Sequence, residues 1–398
     1  MKICLVSQEY PDEIRGGIGS YTAGMAKALA GSGNEVHVLA RSLDKPGTYR
    51  DGEVVIHKIA PGLLRHAWVR RYFGNLVHSV CVAIRLNRLI RDVGIQVVEV
   101  PEFAAEGFIY SLQPFRPAPL TVRLHTPLKI VDQVNNTQHS WGGRIYIGFL
   151  CWMERTGILR ADAVTSPSFA MAEACRATLR LGKLPIHVFP NPVDTEYFTP
   201  GGERASGDAL PPTILYTGQL GMRKGVDVFR DVIPEVLKTH PHAQFVFVGS
   251  DQGYNKNKTM REHILERLTE DQRQRALFLG LRPWHELRDL YRSAQVCVFP
   301  SRFENFPQVC LEAMACACAV VGSTSGGMAE IISDGVDGFL AEPGDAKTIS
   351  ARIRQCLDGD MAALRKAAKN RVAEYCRLPV VADHALAVFK QTVPQATN

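Results

Sequence analysis

The chain has 398 residues, of which 46% are hydrophobic and 22% are charged, and its formal net charge is +6. This length is too great for one ordinary domain and fits two domains of about 200 residues each. The mild positive charge suits a protein that meets anionic small molecules or an anionic membrane surface, and it is too weak to indicate nucleic-acid binding.

The first half of the chain alternates short apolar runs with helix-length segments. Apolar runs of this length are typical of strands that are buried on both faces, and strand–helix–strand repetition indicates a doubly wound parallel sheet. We therefore predict strands at residues 3–7, 35–40, 54–59, 97–100, 120–125, 163–166 and 187–189.

A glycine-rich turn, which contains Gly16 and Gly17, opens the first predicted helix. Glycines at this place let the backbone approach a phosphate, and the helix N-terminus favours an anion. The first strand ends about eight residues earlier, which fits a dinucleotide fingerprint poorly. A long loop that reaches into a cleft fits better, and a purely structural turn remains open.

The segment at residues 63–91 is basic and carries aromatic side chains. Two interpretations remain open: a helix in peripheral contact with an anionic membrane, or a solvated helix on the N-terminal domain. Its basic side chains are Arg65, His66, Arg70, Arg71, Arg85, Arg88 and Arg91.

The pattern breaks once, in a polar segment rich in proline and glycine, and then resumes. Such a break predicts an interdomain linker. We expect an N-terminal domain at 1–195, a linker at 196–212, a C-terminal domain at 213–375, and a tail at 376–398 that returns to the N-terminal domain. The second set of strands is predicted at 213–217, 244–248, 277–279, 296–300, 319–322 and 338–341.

Two acids flank the most informative loop of the second half. Glu304 follows a buried strand, Pro307 suits the first turn of the next helix, and Glu312 lies about 7 Å further along that helix at 1.5 Å per residue. Carboxylates accept hydrogen bonds from sugar or ribose hydroxyls, and helix N-terminal amides suit phosphate. The pair therefore suits a ligand that carries hydroxyl groups and a phosphate, whereas Glu312 alone could be an ordinary acid on a surface helix.

The order of several motifs resembles glycosyltransferase family 4, the group 1 glycosyl transferases, over nearly the whole chain. The motifs are the glycine turn, Leu124-His125-Thr126, Asn191-Pro192-Val193-Asp194, the segment 218–225, Glu304-x7-Glu312, Ser325-Gly326-Gly327 and the segment 335–340. The resemblance implies a GT-B fold, with two Rossmann-like doubly wound α/β domains and an interdomain cleft. It also implies a retaining transfer that needs neither a metal nor another cofactor.

By this resemblance, Glu304 and His125 lie near the donor sugar, and Lys224 holds the diphosphate. Gly16 and Gly17 approach the same diphosphate. The remaining expected substrate-binding residues are Asn305, Phe306 and Pro307 in the loop, Glu312 for the ribose and Leu281 near the base.

The chain departs from the family pattern at Gln219, where the family has an arginine. Glutamine donates a hydrogen bond but brings no charge. Arg223, beside Lys224, is a candidate for the missing cation, although the sequence does not give its direction. Pro192 also replaces a common glycine, which concerns a hinge more than the chemistry.

We therefore expect a hexosyltransferase of polysaccharide or glycoconjugate biosynthesis. Its donor would be a UDP- or GDP-sugar and its acceptor a saccharide or a lipid-linked saccharide. The scattered cysteines, the absence of a signal peptide and the lack of a long apolar stretch indicate a cytoplasmic protein, peripheral on the membrane if the basic segment binds there. The alternatives are a sugar-nucleotide epimerase, a phosphorylase, a nicotinamide-dependent oxidoreductase and a non-catalytic binding partner.

Overall fold

The computed structural model of the protein describes residues 1–10, 16–42, 46–60, 66–135, 139–201, 211–255 and 257–393, apart from the side chains of residues 67–72. The chain divides into two units, residues 1–192 with 378–398 and residues 193–377. Each unit is built on a sheet of mainly parallel strands connected by helices. The predicted doubly wound α/β architecture is confirmed.

The strands of the first unit are mostly buried along their length, as the apolar runs predicted. They are β1 (Lys2–Ser7), β2 (Glu35–Arg41), β3 (Gly47–Asp51), β4 (Val54–Ile59), β5 (Val97–Pro101), β6 (Leu120–Arg123), β7 (Ala163–Ser166) and β8 (His187–Val188). They lie in the order β3-β4-β2-β1-β5-β6-β7-β8.

Helices of the first unit connect these strands. They are α1 (Gly17–Gly31), α2 (Ala67–Val93), α3 (Phe108–Ser111), α4 (Leu128–Asn135), α5 (Trp141–Leu159) and α6 (Phe169–Leu179). Helix α2 contains most of the basic segment predicted at 63–91, whose residues 63–65 lie outside the described residues. Across the described ranges, no helix is both long enough and apolar enough to cross a bilayer.

Strand β3 was not predicted. All of its side chains are exposed, and it pairs antiparallel with β4 at the edge of the sheet. An exposed edge strand has no apolar run, so the buried-strand pattern does not detect it. The Asp51-Gly52 turn, where Gly52 has a φ of +56°, is the local hairpin signal that could have revealed it.

The second unit contains a parallel sheet in the order β11-β10-β9-β12-β13-β14. The strands are β9 (Thr213–Thr217), β10 (Gln244–Val248), β11 (Ala276–Gly280), β12 (Val296–Phe299), β13 (Ala319–Ser323) and β14 (Phe339–Ala341). The helices are α7 (Phe229–Leu237), α8 (Met260–Leu265), α9 (Glu270–Gln274), α10 (Trp284–Ser293), α11 (Gln308–Ala315), α12 (Met328–Ile331), α13 (Ala346–Asp358) and α14 (Ala362–Tyr375).

The boundaries of the two units differ from those expected from the sequence. Residues 193–201, assigned to the first domain and the linker, pack with the second unit: Val193 donates its N–H to Cys376 at 2.8 Å, and Phe198 is buried against Trp284. The apolar side chains of this segment pack into the hydrophobic core of the second unit. The polar, proline-rich composition of the surrounding sequence gives no sign of that packing. Helix α15 (Leu378–Thr392) packs on α1 in the first unit.

Candidate functional site

The strand order of the second unit reverses between β9 and β12, which pair side by side. In open parallel sheets, ligands bind at the carboxyl ends of the strands where the order reverses, because the loops that follow diverge there. The two loops that leave this point, 218–225 and 300–307, carry Gln219, Arg223, Lys224, Glu304, Asn305, Phe306 and Pro307.

Gly225 allows these two loops to meet. Its φ is +65°, and a Cβ atom there would stand 1.9 Å from the carbonyl oxygen of Pro300. Only glycine fits, because both the left-handed backbone and the close contact exclude a side chain. The N–H of Arg302 also donates to the carbonyl of Arg223 at 2.9 Å. The two loops are therefore fixed against each other.

Glu304 is the centre of a buried charge cluster. It forms an ion pair with Lys224, lies 3.5 Å from the guanidinium of Arg223 and accepts a hydrogen bond from Ser301 at 3.2 Å. Burial alone would raise the pKa of Glu304, but the charges of Lys224 and Arg223 outweigh burial and hold that pKa below its usual value. Burial lowers the pKa of Lys224, while Glu304 opposes that shift. The cluster thus holds an ionised carboxylate beside two cationic side chains.

The structure gives the direction that the sequence left open for Arg223. Its Nη1 donates to the carbonyl of Phe303 at 3.2 Å and faces Glu304. Gln219 is exposed, and its backbone carbonyl accepts a hydrogen bond from Tyr216 at 2.7 Å. The guanidinium beside Lys224 therefore comes from position 223 and not from position 219.

An ion pair that the sequence analysis missed holds the turn that carries both cations. Arg302 binds Asp227 with two hydrogen bonds, of 2.6 and 2.7 Å, and also donates to the carbonyl of Met222. Two parallel hydrogen bonds fix orientation as well as distance. Arg302 therefore positions the 3-10 turn Met222–Lys224.

The Ser325-Gly326-Gly327 motif supports the acidic loop from its other side. The N–H of Gly327 donates to the carbonyl of Glu304 at 2.9 Å, and the hydroxyl of Ser325 donates to the carbonyl of Arg302 at 2.6 Å. The motif acts here through backbone positions of the loop. Its contribution is to hold Glu304 in place.

Glu312 is buried in α11 and has a different partner from Glu304. The hydroxyl of Tyr291 donates to its carboxylate at 3.1 Å, and the same hydroxyl lies 2.9 Å from the hydroxyl of Thr217 at the end of β9. Burial and the Glu312 charge raise the pKa of Tyr291 well above its usual value, so it stays a donor at neutral pH. Glu312 was predicted from the sequence, whereas this chain of hydroxyls was not.

The remaining predicted residues of the second unit lie in two different loops. Phe306 is buried, and its N–H donates to the side chain of Asn305 at 2.6 Å, so this amide is already engaged. Pro307 is the N-cap of α11 without a side-chain cap. Leu281 is exposed, directly after the last residue of β11. The structure therefore brings the loop residues together and leaves Leu281 on a separate loop.

The predicted residues of the first unit lie at the start of α1 or against its second turn. Gly16 is the N-cap of α1 and Gly17 its first residue, and a Cβ at Gly16 would come within 2.5 Å of the carboxylate of Glu9. One turn further along, Tyr21 contacts the ring of His125 edge to face, with ring centroids 5.0 Å apart. A negative charge at a helix N-terminus is favourable. The side chain of Glu9 takes that position here.

His125 is buried and neutral at physiological pH. Burial, with a smaller contribution from Arg123, lowers its pKa to about 3. The backbone N–H of His125 donates to the carboxylate of Glu102 at 2.6 Å. Burial raises the pKa of Glu102 to about 8, and the nearby Glu154, also buried, has its pKa raised to about 8. Neither acid was predicted from the sequence as a site residue.

Comparison with known proteins matches both halves of the chain. The family described as Glycosyl transferases group 1 matches residues 211–359, and the family described as Glycosyltransferase Family 4 matches residues 15–197. The glycogen synthase of Mycobacterium tuberculosis is 26% identical over 92% of this chain and 88% of its own length.

Two solved structures have the same fold. Sucrose-phosphate synthase from Thermosynechococcus elongatus matches with a TM-score of 0.78 and 20% identity, over 98% of both chains. Anabaena Alr3699/HepE, solved in complex with UDP-glucose, matches with a TM-score of 0.70 and 18% identity, over 98% of this chain and 100% of its own. The fold is GT-B, and the chain is a glycosyltransferase with a family 4 glycosyltransferase domain in its N-terminal half and a group 1 glycosyl transferase domain in its C-terminal half.

Proposed function

We propose that this glycosyltransferase moves a hexose from a UDP- or GDP-sugar to an acceptor hydroxyl in polysaccharide or glycoconjugate biosynthesis, with retention at the anomeric carbon and without a metal. The observation that carries the proposal is the cluster of Glu304, Lys224 and Arg223 where the strand order reverses. Two cations fixed at such a point suit the diphosphate of a donor.

The cations provide the main catalytic contribution in this proposal. Cleavage of the bond between the anomeric carbon and the phosphate oxygen places negative charge on the departing nucleoside diphosphate. Charges that are already oriented, such as Lys224 and Arg223, stabilise that charge without reorganisation during the reaction. The uncapped N-terminus of α11 adds amides that favour the same anion.

Glu304 is assigned to positioning and not to covalent attack. Its pKa is held below the usual value by the two cations, which makes the carboxylate a weak base and a weak nucleophile. The acceptor hydroxyl then attacks from the leaving-group face, and its proton passes to the departing phosphate oxygen. Retention requires no protein nucleophile on this route.

The other predicted residues take supporting roles in the proposal. Glu312, whose carboxylate is oriented by Tyr291, accepts hydrogen bonds from the ribose hydroxyls. Neutral His125 contacts the donor sugar as a hydrogen-bonding group without charge. Gly16 and Gly17, which open α1, are proposed to contact the diphosphate through backbone amides.

A uridine donor has specific support, because the Anabaena protein of the same fold was solved with UDP-glucose. The test is a thermal-shift panel of UDP-, GDP- and ADP-sugars, since a ligand that binds the folded state raises its apparent stability. We expect a UDP- or GDP-sugar to give the largest shift. A panel in which neither class of donor raises the melting temperature would refute the donor proposal.

The stereochemistry and the metal requirement are tested on the donor selected by that panel. We expect proton NMR of the product to show the anomeric configuration of the donor, and activity to persist in excess EDTA. An inverted product would refute the retaining mechanism, and loss of activity in EDTA that added metal restores would refute metal independence. A new nucleotide sugar without release of nucleoside diphosphate would instead identify an epimerase.

A further inference from the structure

Helix α5 presents a row of large apolar side chains to solvent. Trp141 is 77% exposed, Ile145 55%, Phe149 41% and Trp152 51%. At 100° per residue these positions fall on one side of the helix, and at 1.5 Å per residue they span about 16 Å. We call these four side chains the α5 face.

The α5 face is held rigidly from behind. The opposite side of the helix packs Leu150 and Met153 against Phe108 in a buried cluster. Trp152 contacts Phe108 with ring centroids 5.3 Å apart and Phe149 with centroids 5.7 Å apart. The rings of Phe149 and Trp152 are therefore held by aromatic neighbours, and the helix that carries the face packs on a buried cluster.

The first unit, which carries the α5 face, is positively charged. Residues 1–192 and 378–398 contain 23 lysines and arginines against 16 aspartates and glutamates, whereas residues 193–377 contain 23 against 24. Of the acids in the first unit, Glu99, Glu102, Glu106 and Glu154 are buried, which leaves its surface more positive than its composition. The net charge of the protein thus resides on the unit with the exposed aromatic helix.

Two arginines border the α5 face on the same helix. Arg144 and Arg155 are both exposed, and their positions lie next to those of Trp141 and Trp152 around the helix. Arg155 donates to the carbonyls of Leu179 and Arg180, which brings the exposed Arg180 close as well. The apolar row therefore has a basic border.

We propose that the α5 face docks on the surface of a bilayer that contains anionic lipids, with α5 parallel to the membrane plane. Tryptophan and phenylalanine rings enter the interfacial region, and the bordering arginines contact lipid phosphates. Transfer of the apolar side chains out of water stabilises the bound state. The bordering arginines add an electrostatic attraction to anionic lipids that neutral lipids do not provide.

Charge favours a membrane over a second copy of this chain as the occupant. In a two-fold dimer the same patch faces itself, so Arg144 and Arg155 of one copy would lie near those of the other. Like charges across an interface oppose association, whereas an anionic surface complements them. The docking element is α5, which differs from the segment 63–91, where membrane contact was one of two open interpretations of the sequence.

The experiment measures sedimentation of the full-length protein with vesicles of phosphatidylcholine alone or with phosphatidylglycerol added. We expect binding to the anionic vesicles that weakens as salt is raised. The double substitution Trp141→Ser with Trp152→Ser should lower the partition coefficient by about tenfold or more. The matched control is Val336→Ser, which removes an exposed apolar side chain of the second unit and should leave binding unchanged.

The charge contribution has its own pair of variants. Arg144→Glu should weaken binding to anionic vesicles by several-fold, and Lys366→Glu, an equal charge reversal at an exposed position of the second unit, should weaken it much less. Donor binding in the thermal-shift panel should be unchanged in all of these variants. The membrane-docking proposal and the donor proposal can therefore be refuted independently of each other.

A direct measurement does not depend on any variant folding. Brominated lipids quench tryptophan that enters the interface, so the fluorescence of the native protein should fall when its vesicles carry bromine on the acyl chains. Unchanged fluorescence, equal binding to neutral and anionic vesicles, or equal loss of binding in the control variants would overturn the proposal. A dimer that the double substitution dissociates would also overturn it and would identify a self-association surface.

Discussion

Replacing Lys224 with methionine removes one cation from the donor cluster while keeping a side chain of similar length. Loss of one oriented charge donor costs about 10²–10³ in turnover, or about 3–4 kcal/mol of transition-state stabilisation. Arg223 remains 3.5 Å from Glu304, so activity falls without vanishing. We expect kcat/KM for the best donor in the thermal-shift panel to drop by about two to three orders of magnitude.

The same substitution also affects stability, because Glu304 is only 5% exposed on its side chain and Lys224 19%. Loss of one partner from a fully buried pair costs roughly 3–5 kcal/mol. Arg223 and solvent compensate part of this, so we expect the free energy of unfolding to fall by about 1–3 kcal/mol. Urea denaturation followed by fluorescence measures this quantity.

The matched control is Lys258→Met, which breaks a lysine–glutamate pair in the same unit. Lys258 binds Glu266 at 2.6 Å, and that glutamate is 58% exposed. Exposed pairs contribute little to stability, so both kcat/KM and the unfolding midpoint should stay close to wild type. If Lys224→Met kept kcat/KM within about threefold of wild type, the assignment of Lys224 to the diphosphate would be wrong.

Three further predictions concern other parts of the structure. The pKa of Glu102 rises from 4.5 to about 8 on folding. Between these pH values the folded state therefore holds a proton on Glu102 that the unfolded state has lost, so Glu102 lowers the free energy of unfolding as the pH rises from 4.5 to 8. Glu102→Gln should therefore raise the melting temperature relative to wild type increasingly from roughly pH 5 to 8, and a constant difference would contradict this. Gly225→Ala should abolish activity and lower stability. The control is Gly335→Ala, where φ is +75° and no atom lies within 4 Å, so the cost should be only about 1–2 kcal/mol of backbone strain. Equal effects of the two variants would show that the close contact between Gly225 and Pro300 is unimportant. Tyr291→Phe removes the hydrogen bond to Glu312 and should raise the donor KM about tenfold with little change in kcat, since that bond orients a ground-state contact; an unchanged KM would exclude the ribose role.

The fold could be predicted from the sequence because its signal is local. Parallel strands covered on both faces need short continuous apolar runs, and β1, β9 and β12 each show one within a few residues. Strand β3 lacks such a run because it is exposed, and it was missed. The limits of the two units differ from the predicted domain limits, because contacts such as the hydrogen bond between Val193 and Cys376 form only on folding.

The candidate site was predicted only as far as its motifs are contiguous. Glu304, Glu312 and Lys224 could be singled out because each lies in a recognisable segment. The direction of Arg223 and the pairing of Arg302 with Asp227 could not, since the latter two residues are 75 positions apart. No local pattern specifies which side chains meet across such a distance.

The sequence by itself determined the sheet-forming segments, the order of strands and helices along the chain and the residue types available to bind a donor. Only the tertiary structure decided that Lys224 pairs with Glu304 across 80 positions and that Tyr291 orients Glu312. It also showed the aromatic row on α5, which was not predicted from the sequence. The physical reason is that secondary structure follows from periodicity over a few residues, whereas burial, ion pairing and pKa shifts depend on neighbours that only the folded chain brings together.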